Sequence, residues 1–301
     1  MANIIALIWD FDKTLVDGYM QDPIFEEFKV DRHKFWEENN AEIKKLESDG
    51  LTINHDTYYL NKFIREAKTG GKFEGLSNEM LKDFGKKVRF YEGVVDFFRK
   101  ASDFVDTDIY KEHDIKLENY IVSTGFKATI EGSAVFRFCK KIWGCEFIEN
   151  EDGVISEIGY SLDNTSKTRA LFEISKGVGI GNDKSIDANT KMDESVRRVK
   201  FINMIYSADG PSDIPAFSVI NKNGGVTFGV YPKGDEKALE HMERLREDGR
   251  VSHYAEADFR EKSGAYMWLQ RKIIQMADRI VSEENESIRK RTGGTSPEHL
   301  V

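Results

Sequence analysis

Asp10 and Asp12 stand on either side of Phe11, directly after the apolar run Ile4-Ile5-Ala6-Leu7-Ile8-Trp9. Two carboxylates so close together repel unless something positive joins them. A divalent cation can do so, and Mg²⁺ favours a few carboxylates together with waters and substrate phosphate. Three further segments hold groups of matching chemistry: Ser123-Thr124-Gly125, a lysine at 167 or 176, and Asp209 with Asp213 in Asp209-Gly210-Pro211-Ser212-Asp213. Hydroxyl donors, an ammonium and metal-binding carboxylates are what an in-line attack on a phosphate ester requires, because that chemistry consists mainly of positioning and charge neutralisation.

Such groups must be held at the ends of strands, where open α/β sheets bind their ligands. Ile4 to Trp9 has the composition of a strand buried on both faces. Tyr120-Ile121-Val122 precedes Ser123, and Phe201 to Tyr206 precedes Asp209, both as apolar strand candidates. Val226 to Tyr231 forms another, and Cys145 to Ile148 with Val154 to Tyr160 reads as a hairpin turning at Asp152-Gly153. Helical spacing marks 94–104, 127–143, 167–176, 235–248 and 263–281, with 177–195 a loop and the polar tail after Ser282 frayed. Strands separated by helices predict a doubly wound parallel sheet. The stretch from 22 to 90 is different in kind. It shows helical apolar spacing and no strand alternation, with helices near 54–68 and 77–90 after a first helical stretch ending at Gly50. This predicts an α/β core over 1–15 and 91–301, and a small all-helical cap over 16–90 inserted after the first strand. Asp17-Gly18 and Tyr91-Glu92-Gly93, where the insert leaves and rejoins, are its hinge candidates.

The order of these four segments resembles the four motifs of the haloacid dehalogenase (HAD) superfamily. Asp10-Phe11-Asp12-Lys13-Thr14 is similar to its Asp-x-Asp-x-Thr motif, and the stretch from Tyr120 to Leu171 looks most like the phosphoserine-phosphatase-like branch. The resemblance implies a Mg²⁺-dependent phosphatase. Asp10 would be the nucleophile and form an aspartyl-phosphate, and Asp12 would be the acid and base. Asp10, Asp12 (through its main-chain carbonyl), Asp209 and Asp213 would hold the metal. Ser123, Thr124 and Gly125 would meet the phosphate. The resemblance places its lysine at Lys167, at a helix start, whereas Lys176 beside Gly177 is ordinary helix-end chemistry. Two positions depart from the pattern, since Lys13 and Ala208 stand where glycine is commoner. The presence of Asp12 favours phosphatases and phosphotransferases over dehalogenases. Hydrolysis, transfer to an alcohol, and a silent binding module on the same fold remain open at this level.

Composition bounds the rest. The 301 residues are 40% hydrophobic and carry a formal net charge of −9. That balance disfavours nucleic acid or an anionic membrane as partner, and the small phosphorylated substrate is what the resemblance implies. Cys139 and Cys145 are too few for a disulfide framework. No apolar run approaches the roughly 20 residues of a membrane span, and the first residues lack the basic start of a secretory signal. A cytoplasmic protein is the expectation, and its oligomeric state is left open.

Overall fold

A computed structural model of the chain describes residues 3–180 and 185–292. Seven strands form one sheet: β1 (Asn3–Trp9), β2 (Ile115–Phe126), β3 (Cys139–Glu149), β4 (Ile155–Tyr160), β5 (Met204–Ala208), β6 (Val226–Tyr231) and β7 (His253–Glu256). Their order is β4-β3-β2-β1-β5-β6-β7, and every neighbouring pair is parallel except β3 with β4. The order reverses at β1, which lies between β2 and β5. The carboxyl ends of those three strands therefore flank the switch point, where an open α/β sheet leaves a crevice. β1 is buried along almost its whole length, as its apolar run requires.

Eleven α-helices follow in the described residues. The first four come between β1 and β2: α1 (Asp22–Glu27), α2 (Arg32–Ser48), α3 (His55–Ala67) and α4 (Asn78–Gly85). Asp31, Asn54 and Ser77 begin the last three by accepting a main-chain N–H of the first turn. Then come α5 (Val94–Lys100), α6 (Asp108–Glu112), α7 (Lys127–Gly132), α8 (Lys167–Lys176), α9 (Ile214–Lys222), α10 (Glu236–Glu247) and α11 (Gly264–Thr292).

The insert does not stand apart from the sheet. Phe25, Phe35, Phe63 and Phe73 pack ring to ring, and Phe63 and Tyr59 continue that stack onto Phe126 at the end of β2. Helices α4 and α7 cross with their backbones nearly touching. A Cβ on Gly85 would lie 2.1 Å from the Thr129 carbonyl oxygen, and one on Gly132 only 1.8 Å from that of Lys82. The Ile155 N–H donates to the Leu76 carbonyl at 3.0 Å, and Asn78 donates to the Phe147 carbonyl at 3.0 Å. A swing of the whole insert about Gly18 and Gly93 would have to break one continuous apolar core. That sets the structure against the large-scale lid motion that the two glycine-containing junctions suggest.

Several local expectations need correction. Residues 127–143 are not one helix: α7 stops at Gly132 and Ser133, and β3 begins at Cys139. The basic residues Lys140 and Lys141 break the apolar alternation that would have marked a strand. The helix expected at 77–90 ends at Gly85. Strand β7 carries too short a pattern to stand out. The last helix runs on to Thr292 instead of fraying after Ser282. Its polar end is built from helix-favouring residues with i,i+4 ion pairs, such as Lys290 with Glu286 at 2.8 Å. The end of the tail, 293–301, and residues 181–184 of the expected loop lie outside the described residues.

Candidate active site

The switch point gathers side chains from all four motifs. β1 ends at Trp9, and the Asp10 N–H donates to the Ser207 carbonyl at 2.9 Å, which extends the β1–β5 ladder by one residue and fixes where the carboxylate emerges. From α8, the Lys167 ammonium donates to Asp10 Oδ1 at 2.8 Å and to Asp213 Oδ1 at 2.7 Å. The Lys167 and Asp213 side chains are wholly buried. Lys176, at the other end of α8, instead reaches the Ala188 carbonyl, so only Lys167 enters the site. Helix α8 starts at Lys167 and is capped by Gly177, so the two lysines lie at its opposite ends.

Asp10, Asp209 and Asp213 each offer a carboxylate oxygen within 4.8 Å of the others. This is a hard-oxygen donor set of the kind that suits Mg²⁺, whose coordination waters and substrate oxygens would complete. The residues present therefore fit the metal that the motifs imply. The Asp12 carboxylate is not in that group. Its Oδ1 accepts the Met20 N–H at 2.7 Å, so the expectation that Asp12 helps to hold the metal rests on its main-chain carbonyl.

On β2, pairing with β3 is interrupted between Val122 and Phe126, and the irregularity holds Ser123, Thr124 and Gly125. Ser123 is buried, and its Oγ accepts the Gly125 N–H at 3.1 Å, which leaves its own proton to donate elsewhere. The Thr124 carbonyl accepts from the Tyr59 hydroxyl of α3 at 2.6 Å. Gly125 is a close approach to a side chain: a Cβ there would meet the Met20 methyl at 2.3 Å. Met20 in turn takes the Phe126 N–H on its sulfur, so the segment after β1 packs directly on the end of β2.

Burial sets the electrostatics. It pushes the Asp10 carboxyl up to about 7 despite Lys167, with Asp213 and Asp209 adding to the rise. Asp12 goes up to about 8, chiefly through burial and then through the charge of Asp10. Asp209 rises to about 7, by burial and by Asp213, with Lys167 and Lys13 opposing. For Lys167 burial works against the charge, but Asp10 and Asp213 outweigh it and hold the ammonium protonated. A cluster this short of positive charge is arranged to receive a cation.

Sequence reasoning missed four participants. Tyr206 gives its hydroxyl proton to Asp213 Oδ1, and Ser212 donates to Asp213 Oδ2 at 2.8 Å. Tyr206 sits on β5, and Asp213 folds back onto it from the turn after the strand. Met20 and Tyr59 come from the insert, where aromatic and apolar residues read as core.

No family model matches the chain. An uncharacterized protein of Borreliella burgdorferi is 35% identical over 289 residues, spanning 90% of this chain and 97% of the relative, so the two belong to one family. Among solved structures, a HAD family hydrolase from Salmonella enterica serovar Typhi superposes with a TM-score of 0.51 at 13% identity, covering 84% of this chain and 67% of its own. A phosphoserine phosphatase in its apo form also gives a TM-score of 0.51, at 15% identity, with 87% and 97% covered. The chain has the fold of the haloacid dehalogenase hydrolases. At these identities the likeness carries the HAD fold, with its sheet order and strand-end crevice, and the chemistry must be argued from the site itself. Among the described residues no helix is long and apolar enough to cross a membrane.

Proposed function

We propose that this HAD protein is a Mg²⁺-dependent phosphatase of a small phosphorylated metabolite, working through an aspartyl-phosphate on Asp10. The observation that carries the reading is the buried contact of Lys167 with Asp10 and Asp213 beside Asp209, all at the switch point. Metal bound by Asp10, Asp209, Asp213 and the Asp12 carbonyl would offset the repulsion between carboxylate and phosphate.

Asp10, oriented by its N–H bond to β5 and by Lys167, attacks phosphorus, and the ester oxygen leaves on the opposite side. Asp12 is the acid for that oxygen. Its raised carboxyl is largely protonated near neutral pH, and the same group, once deprotonated, takes a proton from the water that cleaves the aspartyl-phosphate. Ser123 accepts the Gly125 N–H on its Oγ, and its hydroxyl proton donates to a phosphate oxygen. Lys167 donates to Asp10 and Asp213 and lies 3.5 Å from Ser212 Oγ, and it is the cation that would face the phosphate. Thr124 and Gly125 line the same turn. Residues 16–90 act as a cap over the leaving group. Two contacts support this: Tyr59 reaches Thr124, and Asn54 at the start of α3 reaches Asp163 at 3.2 Å, four residues ahead of Lys167.

The test is release of inorganic phosphate from a panel of phosphorylated metabolites with Mg²⁺, beside Asp10→Asn and a chelator control. The reading expects turnover on a restricted set of small esters, lowered by roughly three orders of magnitude or more in the variant. It also expects the phosphate to appear free and not on added glycerol. Equal turnover in Asp10→Asn would refute it.

A further inference from the structure

Lys13 is a lysine in a place that backbone energetics assigns to glycine. Its φ is 55°, in the left-handed region that disfavours a side chain. The turn that imposes this is fixed by the Lys13 N–H donating to the Gly18 carbonyl at 3.0 Å. A strained residue next to a reacting group is a reason to ask what the side chain contributes.

Its ammonium rests against the face of Tyr19, 4.7 Å from the ring centre. Lys13 follows Asp12 directly in the turn after β1, which puts it at the rim of the candidate active site, and its charge acts on Asp209 in the acidic cluster and on Asp235 at the start of α10. Among the described residues no carboxylate lies within 4.0 Å of it. Nearby cations are placed differently. A cavity of about 280 Å³ beyond the Gly18 turn is lined by Arg32, Lys87 and Arg89, and each of these is already paired, with Asp22, Glu27 and Glu26. Lys167 has Asp10 and Asp213. A lysine whose only task was to neutralise the cluster would pair with Asp209. Lys13 is parked instead on an aromatic ring that is itself 44% exposed.

We propose that Lys13 binds an anionic group on the leaving alcohol, so that the substrate is a phosphomonoester carrying a second negative charge, a carboxylate or another phosphate, a few bonds from the ester oxygen. This rests on the phosphatase reading and narrows it. Tyr19 then serves as the resting place from which the flexible lysine stem moves to the ligand. Discrimination arises because an alcohol without that charge leaves the ammonium on the ring, and a cationic alcohol is repelled.

Binding tests this separately from turnover. In an Asp10→Asn background, where ligand persists, calorimetry with Mg²⁺ compares 3-phosphoglycerate with glycerol 3-phosphate, which differ by one carboxylate. The pair is measured with Lys13 in place and with Lys13→Arg, Lys13→Gln and Lys13→Gly. The expected result is at least tenfold tighter binding of the glycerate, kept by arginine and lost in the other two. The glycine variant matters because it relieves the backbone strain, so a loss there comes from the missing charge. Equal affinities in the lysine protein, or a preference that survives in Lys13→Gln and Lys13→Gly, would overturn the assignment. Hydrolysis of the same pair by the unaltered protein reports on the phosphatase reading alone.

Discussion

Lys167→Met removes the one cation that enters the Asp10–Asp213 contact while keeping the length of the buried stem. In the metal-free protein it leaves two carboxylates facing each other, one wholly buried and the other nearly so. Breaking a buried ion pair from one side costs about 3–5 kcal/mol. A carboxylate can limit that cost by taking up a proton, and the limit depends on pH. Protonating a carboxyl with an unfolded pKa of about 3.9 costs about 1.4 kcal/mol per pH unit above that value, so about 1.5 kcal/mol at pH 5 and over 5 kcal/mol at pH 8. At pH 8 the variant should therefore lose the full 3–5 kcal/mol, and at pH 5 clearly less, because Asp10, pushed up to about 7, already carries its proton in the parent. At roughly 2 °C per kcal/mol for a chain this size, that is a Tm drop of about 6–10 °C at pH 8 and a clearly smaller one at pH 5. Scanning calorimetry with a chelator, variant against parent at both pH values, reads the difference directly. A drop of equal size at both, or none at pH 8, would refute the idea that Lys167 neutralises a buried carboxylate pair.

The unaltered metal-free protein should itself lose stability as pH rises from about 4 to 8. Asp10, Asp12 and Asp209 all have folded values pushed above the ordinary carboxylate range, so the folded state holds more protons than the unfolded one across that window. Thermal melts across that range should fall with chelator and flatten with Mg²⁺; stability that rises with pH would contradict the burial argument. Gly132→Ala should destabilise by more than the 1–3 kcal/mol of ordinary overpacking, because the added carbon would overlap the Lys82 carbonyl oxygen. Urea unfolding checks this, and a neutral result would mean that the α4–α7 crossing can open.

What was legible in the sequence was mostly what a short segment decides for itself. The apolar run before Asp10 reports burial on both faces directly, and the order of strands and acids then places the switch point. Lys167 could be told from Lys176 because one begins a helix and the other ends it. The residues that were hidden act across the fold. Met20 and Tyr59 look like core spacing until the insert is laid against the end of β2. Tyr206 looks like one more buried strand residue until Asp213 folds back onto it. The first half of β3 was hidden for another reason: its lysines are surface residues of a strand near the sheet edge, and Lys141 is spent on the Val178 carbonyl. In the sequence Lys13 stands out only as a lysine on a commoner glycine position. Only its backbone angle and its lack of an ion-pair partner among the described residues give it a further meaning.

The most direct test of the central claim is to trap the enzyme mid-reaction. The protein is mixed with Mg²⁺ and a substrate found in the panel, quenched in acid within a turnover, and digested for mass spectrometry. The account predicts one added phosphoryl group on the peptide containing Asp10, removed by hydroxylamine and absent from Asp10→Asn. Steady turnover with no phosphoryl group on Asp10 at any quench time, and turnover retained in Asp10→Asn, would contradict it.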